Sequence, residues 1–224
     1  MREENMAIKA LVFDMDGLVF DTERVVQRTW ARAGAELGYP GMENVIYHTL
    51  GLNRRRRTAF FREYMGEDFP DEEFSRRTRK YFYEIAKEEG IAVKKGIREL
   101  IVFAKERGLK LAVATSSSEE HASGLFKNAG LYEYFDAFVY GNMVKNSKPD
   151  PECYRSACEA LGVSPKDAAA LEDAPAGIEA AYRAGMKPIM IPDLAKVTEE
   201  VEAMAWRVCE HAGEVMDLLL TNGC

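Results

Sequence analysis

The second half of the chain alternates between short apolar runs and helical patterns, and this alternation restricts the fold more than any other feature. Residues 109–115, 137–140, 168–171 and 187–191 are apolar runs of strand length. Each of the four helical patterns among them ends at a glycine, which favours the left-handed conformation after a helix: Gly108, Gly130, Gly162 and Gly185. Strand–helix alternation of this kind predicts a parallel sheet with helices on its faces.

A helical segment separates the first predicted strand, residues 7–13, from the others. Its helical patterns lie at three places: 23–37, 54–65 and 72–89. Within residues 21–92 the acidic and basic side chains balance, so the remainder of the chain carries the whole net charge of −7. We therefore predict an α/β fold, a Rossmann-like parallel-sheet core (1–20 and 93–224) interrupted by an all-helical domain (21–92).

Composition excludes several classes of protein and partner. The net charge of −7 is unfavourable for binding nucleic acid or an anionic membrane. No apolar run approaches the length of a membrane span, and the first residues do not resemble a secretory signal. The four cysteines form no CxxC pair and are too few for a disulfide scaffold. We expect a cytoplasmic protein that binds neither nucleic acid nor membrane.

Polar residues follow four of the predicted strands at their carboxyl ends. Asp14 and Asp16 follow the first strand, Thr115 to Ser118 the second, Lys148 the third, and Glu172 and Asp173 the fourth. The carboxyl ends of parallel strands meet at one edge of a sheet, where ligands bind. Carboxylates gathered there need a cation among them, and oxygen ligands without His or Cys favour Mg²⁺ over zinc.

These residue types suit phosphoryl transfer. A carboxylate that faces a phosphoryl group can attack it and form an aspartyl-phosphate. A second carboxylic acid two residues later can protonate the leaving oxygen and then deprotonate the hydrolytic water. Thr115 and the amides that follow it can bind phosphate oxygens, and Lys148 can neutralise their charge.

Four segments of the chain together resemble the ordered motifs of the haloacid dehalogenase-like (HAD) superfamily. They are residues 14–23 (DMDGLVFDTE), 115–116 (TS), 148–151 (KPDP) and 172–181 (EDAPAGIEAA). The helical insertion directly after the first motif resembles the cap of the β-phosphoglucomutase and phosphoglycolate phosphatase branch. The resemblance therefore implies a Rossmann-like core with an inserted all-helical cap domain.

The resemblance also implies a role for each matching residue. Asp14 is the nucleophile and a Mg²⁺ ligand, and Asp16 is the general acid/base and offers Mg²⁺ its backbone carbonyl. Thr115, Ser116 and Lys148 bind the phosphoryl group. Asp173 is a further Mg²⁺ ligand supported by Glu172, and Arg54 is a substrate contact from the cap loop at 49–54. The implied enzyme is a monomeric, Mg²⁺-dependent phosphatase that hydrolyses a small phosphorylated metabolite such as a sugar phosphate.

Two other functions stay open on sequence grounds. A sugar-phosphate mutase of the β-phosphoglucomutase type is one, although family mutases carry a histidine in the first cap helix. That place falls near Val26 here, and no histidine occurs from Asp14 to Tyr47. A non-catalytic binding protein on the same fold is the other, because a fold does not determine a function. Arg54–Arg57 does not indicate a nucleic-acid site, since four consecutive helical residues cannot share one face.

Overall fold

The computed structural model describes residues 8–50 and 54–221, and for Arg54 and Arg55 it describes the backbone alone. Its central element is a six-stranded sheet in the order β3-β2-β1-β4-β5-β6, with every pair of neighbouring strands parallel. The strands are β1 (Ala10–Phe13), β2 (Lys110–Ala114), β3 (Ala137–Val139), β4 (Ala168–Glu172), β5 (Lys187–Met190) and β6 (Arg207–Val208). The predicted Rossmann-like α/β fold is confirmed.

The strand order reverses between β1 and β4, which form hydrogen bonds with each other at the centre of the sheet. In doubly wound sheets this switch point is where ligands bind, beyond the carboxyl ends of the strands. Consecutive residues of β1 point to opposite faces: Leu11 and Phe13 enter one apolar cluster, and Ala10 and Val12 enter another. Both faces are buried, so the strand is an apolar run without alternation.

Helices cover both faces of the sheet. On one face lie α5 (Ile97–Glu106), α6 (Glu119–Asn128) and α10 (Ala212–Thr221), and their apolar residues join the cluster of Leu11 and Phe13. On the other lie α7 (Glu152–Leu161) and α8 (Pro175–Ala184), which pack on a sheet surface made largely of alanines. A further helix, α9 (Glu199–Met204), packs with α8 in a small separate cluster.

The insertion contains the helices α1 (Thr22–Glu36), α2 (Met42–Val45), α3 (Arg54–Met65) and α4 (Asp71–Glu88). They share an apolar cluster of their own, in which Trp30, Phe61 and Phe74 make edge-on ring contacts. Phe82 lies outside that cluster and contacts His121 of α6. A separate cap domain needs an apolar cluster of its own, and the insertion has one. The division of the chain into domains at residues 21 and 93 stays a prediction.

Two general expectations can be compared with the described residues. Cys153, Cys158 and Cys209 are buried free thiols, while Cys224 lies outside the described part of the chain. Among the described helices, none combines the length and the apolar character that crossing a membrane requires.

Candidate active site

The residues that follow β1 place two carboxylates at the switch point. The Asp14 amide donates to the carbonyl of Leu171 (3.0 Å), so Asp14 extends the pairing of β1 with β4 and its side chain is held close to the end of β4. Met15 is buried in the core, and Asp16 comes two residues after Asp14. The D-x-D spacing therefore puts both acids at the same edge with an apolar anchor between them.

Gly17 completes this turn because no other residue fits. Its φ is +81°, a conformation that side chains disfavour. Its amide donates to the carbonyl of Phe20 (3.0 Å) and to the hydroxyl of Thr22 (3.2 Å). A Cβ at this position would lie 2.2 Å from Oδ2 of Asp173, so the glycine allows the β1 turn to approach the acid that follows β4.

Lys148 is the cation at the centre of the site. Its Nζ donates to Oδ1 of Asp14 (2.5 Å), to Oε1 of Glu172 (2.6 Å) and to the carbonyl of Ala114 (3.0 Å), and only 6% of its surface is exposed. Burial acts to lower the pKa of Lys148, but the charges of Asp14 and Glu172 outweigh it and hold that pKa well above its usual value. The ammonium is therefore permanently charged and fixed by three acceptors.

Three carboxylates gather beside Lys148. Asp14, Glu172 and Asp173 each offer an oxygen within 4.8 Å of the other two, and all three are buried. The pKa of Asp14 is raised to about 8, because burial and the charges of Glu172 and Asp16 together outweigh the opposite effect of Lys148. Burial and the charges of Asp14, Glu172 and Glu23 raise the pKa of Asp173 well above its usual range. One ammonium does not balance these acids.

The excess of negative charge over positive charge indicates whether the site fits a metal ion. A hard divalent cation would favour the ionised forms of the three acids, and the donor set consists of oxygen alone, as Mg²⁺ prefers. The described residues at this cluster therefore fit a magnesium ion.

Glu172 has a second partner that sequence analysis missed. The Tyr154 hydroxyl, fully buried on α7, donates to the same Oε1 atom of Glu172 (2.5 Å) that accepts from Lys148. The carboxylate also lies over Gly177, where a Cβ would come within 1.9 Å of Glu172. Tyr154 follows Lys148 by six residues, and nothing in that spacing distinguishes a hydroxyl donor from an ordinary aromatic core residue.

Hydroxyl groups line the end of β2. Thr115 is buried, and its Oγ1 accepts from the Ser117 amide (3.0 Å). The Ser117 hydroxyl donates to Oδ2 of Asp16 (2.8 Å) and so orients that carboxyl group. Ser116, the serine that the resemblance identified, is exposed and lines the cavity. Within this run of three serines, Ser117 is the one that contacts a predicted catalytic residue.

A cavity of about 820 Å³ connects these groups with the inserted helices. Its floor includes Asp14, Asp16 and Lys148. Its lining from the insertion includes Glu23, Val26, Trp30, Arg57, Arg79 and Tyr83. The predicted contact Arg54 lies outside the described side chains. The cavity has room for a small organic phosphate between the sheet edge and the insertion.

Val26 is itself part of the cavity lining. Near the place where the resemblance puts the histidine of mutases, this chain therefore presents an apolar side chain to the cavity, which cannot transfer a proton.

Comparison with known proteins agrees with this architecture. A model of the haloacid dehalogenase-like hydrolase family matches residues 8–185. The chain belongs to this family. The phosphorylated carbohydrates phosphatase of Thermotoga maritima is 34% identical over 186 residues, 81% of this chain and 84% of that protein. The family assignment and the class of enzyme, a phosphatase, that the sequence predicted are confirmed.

Two further proteins are similar to this HAD-like chain, and one of them is named as a mutase. The β-phosphoglucomutase of Bacillus subtilis is 28% identical over 80% of this chain and 81% of its own. The crystal structure of CbbY from Rhodobacter sphaeroides in complex with phosphate is 32% identical, with a TM-score of 0.77 over 93% of this chain and 96% of that one. The relatives thus include both a phosphatase and a mutase, so the choice between these two activities depends on the residues of the site.

Proposed function

We propose that this HAD-like enzyme is a Mg²⁺-dependent phosphatase that hydrolyses a small sugar phosphate or similar monoester through an aspartyl-phosphate. The observation that carries the proposal is the contact of Asp14 with Lys148 beside two further buried carboxylates, Glu172 and Asp173. It joins a nucleophile, a fixed positive charge and a cluster of oxygen ligands at one point. The named activity of the Thermotoga relative supports a phosphorylated carbohydrate as substrate.

In the first step, Asp14 attacks the phosphorus atom and the bond to the leaving alkoxide breaks. Lys148 neutralises the negative charge of the phosphoryl oxygens, and Thr115 forms a hydrogen bond with one of them. Asp16, held by Ser117, gives its proton to the leaving oxygen, so the product departs as a neutral alcohol. An aspartyl-phosphate at Asp14 and an ionised Asp16 result.

In the second step, water attacks the phosphorus of the aspartyl-phosphate. Asp16 takes a proton from that water, and Asp14 leaves as a carboxylate together with inorganic phosphate. Asp14, the backbone carbonyl of Asp16, and Asp173, with Glu172 in support, would hold Mg²⁺, which supplies charge stabilisation of the phosphoryl group when bound. Ser116 at the open side of the cavity is proposed as a further phosphoryl contact, and Arg54 as a substrate contact.

Val26 favours hydrolysis over the mutase reaction. A mutase must return the phosphoryl group to a sugar hydroxyl, and the resemblance places the histidine of the family's mutases near Val26, which lines the cavity. With no proton-transferring group at that position, water is the acceptor that the site is equipped to activate, through Asp16. The monomeric state and the cytoplasmic location stay predictions.

A panel of phosphate esters tests the function directly. We expect the purified protein to release inorganic phosphate from one or more hexose, pentose or hexitol phosphates with Mg²⁺ present, and to lose this activity in excess EDTA. The same reactions are analysed for sugar-phosphate isomers. Conversion of an isomer without release of phosphate would show a mutase, and no turnover of any ester with or without Mg²⁺ would contradict an enzymatic function.

The stability of the metal-free protein should fall as pH rises from about 5 to about 9. With burial as the main cause, the pKa of Asp14 is raised to about 8, far above about 3.9 in an unfolded chain. The native state therefore keeps a proton that the unfolded state has lost, and the stability this proton contributes disappears as pH passes the native pKa. One such group contributes at most about 1.4 kcal/mol per pH unit, and each kcal/mol corresponds to about 2–4 °C in Tm.

Melting curves between pH 5 and pH 9 in EDTA and in excess Mg²⁺ check this expectation. Bound Mg²⁺ should reduce the slope because it favours the ionised carboxylates. Asp14→Asn should also reduce the slope in EDTA. A Tm that stays constant or increases up to pH 8 in EDTA would show that the buried acids are already compensated without a metal.

A further inference from the structure

The chain crosses between the sheet and the insertion through two antiparallel segments, 19–21 and 92–94, which we call the neck. The Asp21 amide donates to the carbonyl of Ala92 (2.9 Å), and the Lys94 amide donates to the carbonyl of Val19 (2.9 Å). Phe20 and Val93 form an antiparallel bridge between these bonds. The orientation of the insertion relative to the sheet therefore depends on a few backbone hydrogen bonds and on whatever side chains hold the neck.

Asp193 holds both sides of the neck with one carboxylate oxygen. It belongs to the segment that follows β5, so it is part of the sheet domain. Its Oδ1 accepts from Nζ of Lys94 (2.6 Å), where the chain returns to the sheet, and from Nη1 of Arg24 (2.9 Å), in the first turn of α1. Arg24 also pairs with Asp21 (2.7 Å). A residue 169 positions away thus ties the first helix of the insertion to the returning chain.

The surroundings of Asp193 are costly for the stability of the folded protein. Only 3% of its side chain is exposed, and its Oδ2 is buried without a hydrogen-bond partner among the described residues. Leaving a buried acceptor unpaired is costly, whereas ion pairs on the insertion surface, such as Arg28 with Glu89, are solvated. A buried carboxylate with one unpaired oxygen needs an explanation other than stability, and holding Arg24 and Lys94 in place is such an explanation.

The same helix turn forms a wall of the cavity. Glu23 and Val26, which flank Arg24 on α1, line the cavity, and the hydroxyl of Thr22 accepts from the amide of Gly17 in the β1 turn. A shift of the first turn of α1 would therefore move the part of the lining that faces the leaving group, while Asp14 and Lys148 would keep their places at the sheet edge.

We infer that Asp193 is a positioning residue that sets the insertion over the substrate by holding Arg24 and Lys94. This inference rests on the proposed phosphatase function. It assigns Asp193 no contact with substrate. Loss of Asp193 should affect only substrates that are large enough to touch α1, because the groups that bind the phosphoryl group belong to the sheet domain and not to the insertion.

Asp193→Asn keeps the shape of the side chain and removes its charge. For the best sugar phosphate of the panel we expect KM to rise about tenfold, the scale of one charge-assisted hydrogen bond, with kcat within about twofold. For acetyl phosphate, which is too small to reach α1, both constants should stay unchanged. Arg24→Gln, an exposed substitution that breaks the same link, should reproduce the result, and the double variant should show less than the sum of the two effects.

Amide hydrogen exchange provides a readout that does not depend on turnover. In Asp193→Asn the amides of Asp21 and Lys94 should exchange about tenfold faster, while that of Ala112 in β2 should not change. Arg76→Gln is the matched control, because it makes the same chemical change as Arg24→Gln but breaks an exposed ion pair within α4, with Glu73. It should alter neither KM nor exchange at the neck.

Three results would overturn the inference. The first is unchanged KM together with unchanged neck exchange in Asp193→Asn. The second is an equal loss of kcat with the sugar phosphate and with acetyl phosphate, and the third is additive effects of Asp193→Asn and Arg24→Gln. If the unaltered protein releases no phosphate from any ester, the proposed function fails instead. The exchange experiment then still decides whether Asp193 holds the neck.

Discussion

Replacing Asp14 with asparagine should lower kcat by about 10³-fold or more and leave the fold intact. An amide cannot form the acyl phosphate, so the two-step reaction loses its nucleophile. Lys148 keeps Glu172 as a charged partner at 2.6 Å, which limits the loss of stability. We expect the Tm to stay within about 2–4 °C of the unaltered protein, a change of about 1 kcal/mol.

The matched control for this substitution is Asp167→Asn. Asp167 immediately precedes β4 at the opposite edge of the sheet, where it pairs with the exposed Lys9 (2.8 Å). It undergoes the same chemical change and should keep full activity. Phosphate release and circular dichroism of both variants, measured side by side, check the prediction. An Asp14→Asn protein that retains more than about a tenth of kcat would exclude Asp14 as the nucleophile.

The sequence predicted those parts of the site that depend on strand ends. Asp14 and Asp173 directly follow strands that are buried on both faces, β1 and β4, and parallel pairing brings the carboxyl ends of such strands together. Lys148 comes from the longer loop after β3, at the same edge of the sheet. Their proximity could therefore be expected before any coordinates, and the structure does bring these residues together.

Contacts between side chains on different elements could not be predicted in this way. Ser117 reaches Asp16 across 101 residues, and its neighbours Ser116 and Ser118 have the same chemistry. Only the backbone direction after β2 decides which hydroxyl turns inward. Asp193 pairs with Arg24 because the chain after β5 passes beside the neck, a proximity with no periodic signal.

The segment after residue 191 shows a different limit of sequence patterns. β6 consists of Arg207 and Val208, both exposed, at the edge of the sheet. A strand of two exposed residues has neither an apolar run nor an alternation to reveal it. Its pairing with β5 depends on tertiary packing, so the sequence analysis assigned no element there.

Lys148→Met should damage both activity and stability, which distinguishes Lys148 from a residue that only binds substrate. Methionine keeps the length and apolar stem of lysine but leaves Asp14 and Glu172 buried without their cation. Breaking a buried ion pair from one side costs about 3–5 kcal/mol, equivalent to roughly 10 °C in Tm for a chain of this length. Loss of the charge that neutralises the phosphoryl oxygens should lower kcat by about 10²–10³-fold.

The pH dependence of this variant separates the two effects of the charge. Lys148 lowers the pKa of Asp14, so without it Asp14 should stay protonated to still higher pH. Asp14 is protonated near pH 5 with or without Lys148 and needs no cation there, so the part of the loss that comes from Asp14 should be smaller near pH 5 than near pH 8. The control is Lys110→Met, which should leave kcat unchanged. Lys110 lies at the amino end of β2, away from the site, where its ammonium donates to the carbonyl of Leu161. A Lys148→Met protein that melts like the unaltered one at pH 8 would mean that the carboxylates are already neutral there, and Lys148 would then act on the substrate alone.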